Sequence, residues 1–526
     1  MQTYISTKHR KIILPMRNDV ANLIPSARKI LSNGKLWLAV HHGIEETKLL
    51  RNLGVEVSAP IMSQYDWAGD TPFDSQKHTA ALLTSNSRAY CLSSMGVGKT
   101  RAGLYAFDYL KKQGLVSNCL VVAPLSTLTS VWDAEIFGTF HDLRSVVLHG
   151  TREQRLRKLN EDADIYIINH DGVKTITNKA RSGQWGGIVG DKVFDVIIID
   201  ELALYRNKRT NRWKYLKPLV SRAKYSWGLT GSPTPNAPTD AYGQIMMLTP
   251  NNLGSSFRRF QQQTMTQVSQ FKWVPKRDAA QIVYSLMQPS VRYTLDQCHD
   301  LPPITYSTRQ IEPTAQQKKA YAELLKTYAM ELRGQKLTVV NEGARLNKLL
   351  QVSCGFAYDS EGKGNYIGAK DRLLEVLSIV EEADAKVIVF APYKWAVRMI
   401  HHVISSKAKD PTYAAMITGD TSVPERNTIL AGFKSKSNPQ VLVAHPGTMS
   451  HGLTLVSANV IVWYAPTHSM ETYQQANARI HRPGQTLHTH IIHIKSTDVE
   501  QRVYARLQRK ERLQGILLGL FEKDGD

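Results

Sequence analysis

Two short stretches of this sequence carry the residue types that handle phosphates. Ser93-Ser-Met-Gly-Val-Gly-Lys-Thr100 follows the apolar run Ala89-Tyr-Cys-Leu92 and precedes a helical pattern. Strand, glycine-containing loop, Lys-Thr and helix is the context of a phosphate-binding loop. There the backbone of Met95, Gly96, Val97 and Gly98 cradles phosphates, Lys99 reaches the β- and γ-phosphates, and the Thr100 hydroxyl ligates Mg²⁺. The strict pattern begins with Gly, and Ser93 stands in its place. Further on, Phe194-Asp-Val-Ile-Ile-Ile-Asp-Glu201 is an apolar strand ending in two carboxylates. Asp200 is placed to hold Mg²⁺, directly or through water, and Glu201 to orient and deprotonate an attacking water. A strand end with a solvated acidic pair is common by itself, but it does not account for the phosphate loop upstream. The two together predict nucleotide hydrolysis.

Such chemistry also needs positive charge at the transition state. Gln475-Ala-Asn-Ala-Arg-Ile-His-Arg482-Pro-Gly-Gln485 offers Arg479 and Arg482, whose spacing predicts one face of a helix. Arginines in that role supply about 10³–10⁵ in rate. Two solvated surface arginines are the plainer reading.

The elements that must position these residues alternate. Short apolar runs predict strands at Cys119–Ala123, Ile165–Asn169, Val196–Asp200, Lys386–Phe390, Val441–Ala444 and Val460–Tyr464, with helices such as Thr100–Lys112 and Lys370–Glu382 between them. Strands alternating with helices imply parallel sheets built from βαβ units. The expected fold is α/β: two tandem parallel-sheet lobes, 71–245 and 366–495, with a helical insertion over 246–365. A small α/β or α+β accessory domain over 1–70 precedes them, with strands at Lys11–Leu14, Leu36–Val40 and Val55–Val57, and a C-terminal helix over 496–526 follows. The 526 residues are 42% hydrophobic, ample for several cores. No apolar run approaches the ~18 residues of a membrane span, no secretory signal is visible, and four scattered cysteines make neither a disulfide framework nor a CxxC zinc site. A soluble intracellular protein is expected.

The 66 Lys and Arg exceed the 45 Asp and Glu by 21, which points to a polyanionic partner. The excess is uneven. From Leu202 to Gly228 there are Arg206, Lys208, Arg209, Arg212, Lys214, Lys217, Arg222 and Lys224 with no acid, interleaved with Tyr205, Trp213, Tyr215, Tyr225 and Trp227. Nucleic-acid contact by part of this stretch competes with a solvated helical face whose tryptophans pack inward. The opening 75 residues are nearly balanced in charge.

The motif series resembles superfamily 2 DNA translocases of the Swi/Snf type, in a compact bacterial or phage form, from about Pro72 to Leu518. Gln475–Gln485 is the most specific match. The resemblance implies two RecA-like lobes, ATP and Mg²⁺ as cofactors, a DNA partner gripped by its backbone, and an adenine-reading role for Gln76 in Phe73-Asp-Ser-Gln-Lys77. It also assigns Val122–Trp132 and Ile168–Asp171 to DNA-side motifs, Gly228–Asn236 to the motif that couples hydrolysis to motion, Val387–Tyr393 and Ser450–Leu455 to motifs of the second lobe, and Val499–Gln514 to a brace helix. Three departures stand out: Ser93 and Ser94 replace an acidic pair, Ala203 replaces the coupling histidine after Asp200-Glu201-Leu202, and Met449, Ser450 and His451 are irregular. The implied activity is an ATP-driven translocase that remodels branched DNA or displaces bound protein. A strand-separating helicase and a binding scaffold with a decayed ATPase are the alternatives, and a monomer is the simplest oligomeric expectation. For the N-terminal piece, an accessory DNA-binding role and packing on the first lobe stand level. His488, His490 and His493 read as strand residues rather than a metal site.

Overall fold

The computed structural model describes all residues except 1–2, 180–184, 189–191, 255, 270–271, 299, 335–338, 360, 436, 450–453 and 523–526. Only the backbone is described at 178–179, 185–187, 328–334, 339–342 and 512–522. The chain divides into two compact units, Met1–Cys298, with which Gln514–Asp526 groups, and His299–Leu513.

The first unit opens with a four-stranded antiparallel sheet in the order Tyr4–Ser6, Lys11–Pro15, Lys35–His41, Arg28–Ser32. Asn33 and Gly34, both at positive φ, close the last hairpin, the turn that Asn-Gly favours. One face buries Ile12, Leu14, Leu38 and Val40 against Val20 and Leu50 of two helices, Asn18–Leu23 and Ile44–Asn52, and against Ile24 just after the first. Val55 and Val57 join this core from a loop, not from the expected strand: the Val55 N–H donates to Leu50 O and the Val57 carbonyl accepts from Arg51 Nε, both at 2.9 Å, in place of strand pairing.

The larger sheet of this unit has seven parallel strands, ordered Ser290–Val291, Arg88–Cys91, Tyr225–Leu229, Val196–Asp200, Cys119–Ala123, Ile165–Asn169, Ser145–Val147. Helices cover both faces, so the central strands are apolar throughout, as in Cys119–Ala123, where every residue is buried. The second unit has six parallel strands, ordered Ile304–Gln310, Thr489–Lys495, Ala458–Trp463, Lys386–Phe390, Val441–Ala444, Ala414–Ile417.

The 246–365 stretch is not wholly helical. Met265–Ser269 and Lys272–Pro275 pair as a hairpin, Ser290–Val291 joins the first large sheet, and Ile304–Gln310 forms an edge of the second. These strands are two to seven residues long and mostly exposed, so they lack the buried apolar signature that marks the central strands.

Candidate functional site

The phosphate-binding-loop residues sit between the Arg88–Cys91 strand and the Lys99–Lys112 helix. Gly96 and Gly98 adopt positive φ, +87° and +80°, which only glycine enters without strain. A Cβ on Gly98 would also strike the Gln76 amide, so Gln76 lies across the loop, buried. Its Oε1 accepts from the Phe73 N–H at 3.0 Å, which fixes the side chain against the loop. Val97 is buried, whereas Met95, Gly96, Gly98, Lys99 and Thr100 are partly exposed. Lys99 Nζ donates to the carbonyls of Ser93 (2.8 Å) and Ser94 (2.9 Å), holding the ammonium over the loop's entry.

Gly103, one turn into the helix, would place a Cβ 3.5 Å from Ile198, so the helix packs closely on the strand that ends in Asp200. Asp200 Oδ2 accepts from Trp132 Nε1 at 3.1 Å and Oδ1 from the Glu201 N–H at 3.1 Å. Burial pushes its carboxyl above the usual range, opposed by the Trp132 hydrogen bond and the charge of Lys99. Glu201 turns sharply, with φ +50° and ψ +55°, a left-handed conformation costly for a non-glycine residue. The strand between the two motif strands, Tyr225–Leu229, leads into Thr230-Gly231. The Thr230 N–H donates to Cys91 O at 3.0 Å, and a Cβ on Gly231 would lie 3.4 Å from Ser93 O. The expected coupling motif thus abuts the phosphate loop directly. Ala203, where the resemblance expected a histidine, is buried.

Three site residues escaped the sequence reading as such. Trp132 was read only as part of a DNA-side motif, yet its indole holds Asp200. Arg292 Nη1 donates to Leu92 O at 2.8 Å, the Tyr293 N–H to Ser93 Oγ at 3.0 Å, and the Ser94 N–H to Tyr293 O at 2.9 Å. Ser93, the departure from glycine, therefore anchors the loop to a segment 200 residues away. No local pattern announces a contact of that span.

In the second unit the helix carrying Gln475 ends at Asn477. Arg479 lies in the turn after it and Arg482 in a bend just before Gly484 (φ +95°), so the expected shared helical face is not formed. Each Nε still donates four residues back, Arg479 to Gln475 O (2.9 Å) and Arg482 to Ala478 O (2.5 Å). Arg479 is 2% exposed, and Arg482 is partly exposed. Gln485 spends its amide on Ala458 O, Ile480 O and two backbone N–H groups. Of the irregular Ser450–Leu455 segment, residues 450–453 lie outside the described residues.

The aromatics of the basic-aromatic stretch are buried or partly buried, while Arg209, Lys214, Arg222 and Lys224 are exposed. Trp227 and Tyr205 are buried, and the Trp213 indole donates to Gly243 O at 2.9 Å. Arg212 pairs with Asp171 (2.8 Å) and Lys224 with Asp195 (3.1 Å), while Lys217 Nζ donates to Met247 O at 3.0 Å. His488 and His490 stack at 4.5 Å, and no group of three His, Cys, Asp or Glu among the described residues could hold a metal ion. No described helix is long and apolar enough to cross a membrane.

The family model described as "SNF2-related domain" matches residues 84–353, just over half of the chain. The chain belongs to the SNF2-related family. The "Helicase conserved C-terminal domain" matches 369–484 and takes in both arginines. Residues 1–83, with Gln76, lie outside both matches. This SNF2-related chain is 26% identical to "Putative protein p41" of Acyrthosiphon pisum secondary endosymbiont phage 1, over 84% of this chain and 96% of that one. It is 23% identical to the "Uncharacterized ATP-dependent helicase YqhH" of Bacillus subtilis (86% and 79%), and 25% identical to the "ATP-dependent DNA helicase DDM1" of Arabidopsis thaliana (81% and 58%), so it spans little more than half of the latter. A structure of the "Sulfolobus solfataricus SWI2/SNF2 ATPase core in complex with dsDNA" aligns at 21% identity and TM-score 0.41, over 87% of this chain and 95% of that one. The SNF2-related chain is accordingly an ATP-using enzyme of the helicase/translocase kind.

Proposed function

We propose that this enzyme couples Mg²⁺-dependent ATP hydrolysis to movement along the DNA backbone, remodelling branched DNA or displacing bound protein. The observation that carries the reading is the convergence, in one unit, of Lys99 over the glycine loop, Asp200 held by Trp132, and Glu201 in a strained turn beside it. The donors here suit a hard cation, since Thr100 and Asp200 offer oxygen only. Burial of the Asp200 carboxyl, which resists ionisation alone, is what a cation would offset. Mg²⁺ bound by these two residues would neutralise charge on the β- and γ-phosphates.

The chain's own groups have distinct tasks. The loop N–H groups and Lys99 orient the triphosphate, and Gln76 fixes the loop from the nucleobase side. Glu201 accepts the proton of the attacking water. Arg479 and Arg482, in the second unit, are the proposed source of charge for the transition state. Phosphate contacts carry affinity without sequence information, as tracking along DNA requires.

ATP turnover of the purified chain, measured with duplex, single-stranded and forked DNA and with RNA, tests this. DNA should stimulate turnover. Lys99→Ala and Glu201→Gln should each lower it by about 10²–10⁴-fold with DNA affinity retained. Undiminished turnover in the double variant sinks the reading. Binding without stimulated hydrolysis favours the scaffold, and fork opening rather than triplex displacement alone favours a strand-separating helicase.

A further inference from the structure

On the outer face of the N-terminal sheet Ala39 is buried and Ile13 and Trp37 are partly covered, while Tyr4, Lys11, Arg28, Ile30 and Lys35 are exposed. Across the strands one row reads Tyr4, Ile13, Ala39, Arg28 and the next reads Pro15, Trp37, Ile30, with Lys11 and Lys35 at the two ends. A sheet with one solvated face ordinarily alternates apolar-in with polar-out. Here Tyr4 is 49% exposed and Ile30 38%, and the Tyr4 and Trp37 rings meet edge-on at 6.1 Å. Exposed apolar side chains grouped on one face mark an interaction site.

Charge is segregated in the same sense. The four strands carry Lys11, Arg28, Lys29 and Lys35 and no acidic residue. Of the acids in this domain, Asp19 lies on the Asn18–Leu23 helix and Glu45 and Glu46 on the Ile44–Asn52 helix, which back the other face, while Glu56, Asp66 and Asp70 lie outside helices and strands after them. None of Lys11, Arg28 and Lys35 is in an ion pair among the described residues. Near-neutral net charge over the first 75 residues therefore conceals a sheet with a wholly positive outer face.

We propose that this face binds unpaired nucleic acid, with bases stacked on Tyr4 and Trp37 and phosphates held by Lys11, Arg28 and Lys35. Exposed rings in a basic setting fit single strands, because every unstacked base offers a π-face, whereas the bases of a duplex are already stacked. The site would give a backbone-tracking enzyme a preference for DNA that carries a single-stranded segment. It rests on the function proposed above only in taking DNA as the first probe.

The test uses the full chain and fluorescence anisotropy with a dT oligonucleotide, a blunt duplex and a U-rich RNA. Tyr4→Ala combined with Trp37→Ala should weaken dT binding about tenfold or more, leaving duplex affinity and duplex-stimulated ATP turnover as in the parent. Lys11→Glu with Arg28→Glu, at exposed positions remote from the core, should lower the salt dependence of dT binding by about one to two in log–log slope. Comparable losses on dT and the RNA support the site and extend its ligand to both sugars. Unchanged dT affinity in both variants, at unchanged melting temperature, overturns the proposal, as does an equal loss on duplex and single strand. A parent chain that DNA does not stimulate, but whose dT binding responds to the variants, would refute the ATPase reading and leave this site standing.

Discussion

Asp200 concentrates the conflict between stability and catalysis. Its carboxyl is pushed up by burial, and the Trp132 hydrogen bond and Lys99 offset this only in part. The folded chain thus holds the Asp200 proton more tightly than the unfolded chain does. By linkage, this residue's contribution to stability falls as pH rises through its folded-state pKa, above the ordinary carboxylate range. Asp200→Asn removes the charge and keeps an oxygen for the indole. It should raise the melting temperature at pH 7 by roughly 2–4 °C for each kcal/mol regained, while abolishing ATP turnover. Differential scanning fluorimetry with and without Mg²⁺ checks both halves: Mg²⁺ should stabilise the parent and leave the variant unmoved. A variant that melts lower than the parent would refute the assignment of Asp200 as a buried charge awaiting a cation. The glycine loop and the Asp-Glu pair were legible because each is a contiguous pattern. Ser93's bond to Tyr293 and Trp132's bond to Asp200 were not, since both join residues that only the folded sheet brings together.

Among the elements, the helix Asn211–Arg222 shows how a basic sequence can mislead. Its alternation of Lys, Arg, Trp and Tyr resembles a nucleic-acid grip, but the apolar stripe Leu216, Leu219, Val220 sets which way the cations face. Lys217 ends on the inner side, where burial and then the neighbouring Arg88 push its pKa down to about 8. A lysine depressed in the folded state loses its proton first there, so stability should rise with pH between about 8 and 10.5. Lys217→Met should flatten that rise, increase the melting temperature at pH 7, and leave DNA affinity unchanged; a loss of affinity would return Lys217 to the DNA surface. Arg209, Lys214, Arg222 and Lys224, the last paired with Asp195, are the exposed cations of this region. Buried parallel strands were readable in sequence nearly to the residue, Cys119–Ala123 and Lys386–Phe390 among them, because both faces are covered and the positions are apolar but for Lys386, whose ammonium is satisfied by the Ser437 and Pro439 carbonyls. Edge strands such as Ile304–Gln310 were not readable: with one neighbour and six exposed positions, their composition is that of a loop.

At the scale of the molecule, the two units have separate cores. Tyr105, Trp132 and Ile198 belong to the first, Val389, Tyr464 and Ile494 to the second, and no described core cluster mixes residues from both sides of position 299. The second unit is also fastened by a buried ion pair. Arg372 Nη2 meets Glu500 Oε1 at 2.5 Å, both side chains are at most 3% exposed, and Glu500 Oε2 accepts from the N–H groups of Ser496 and Thr497. These bonds tie the Asp498–Glu522 helix to the Lys370–Glu382 helix. Removing one partner of such a pair leaves a buried charge and costs about 3–5 kcal/mol. Separate cores predict two calorimetric transitions rather than one. Glu500→Ala should lower one of them by about 10 °C, and Lys217→Met should raise the other. If the heat absorption is a single transition that both substitutions move together, the units unfold as one and the independence of their cores is wrong.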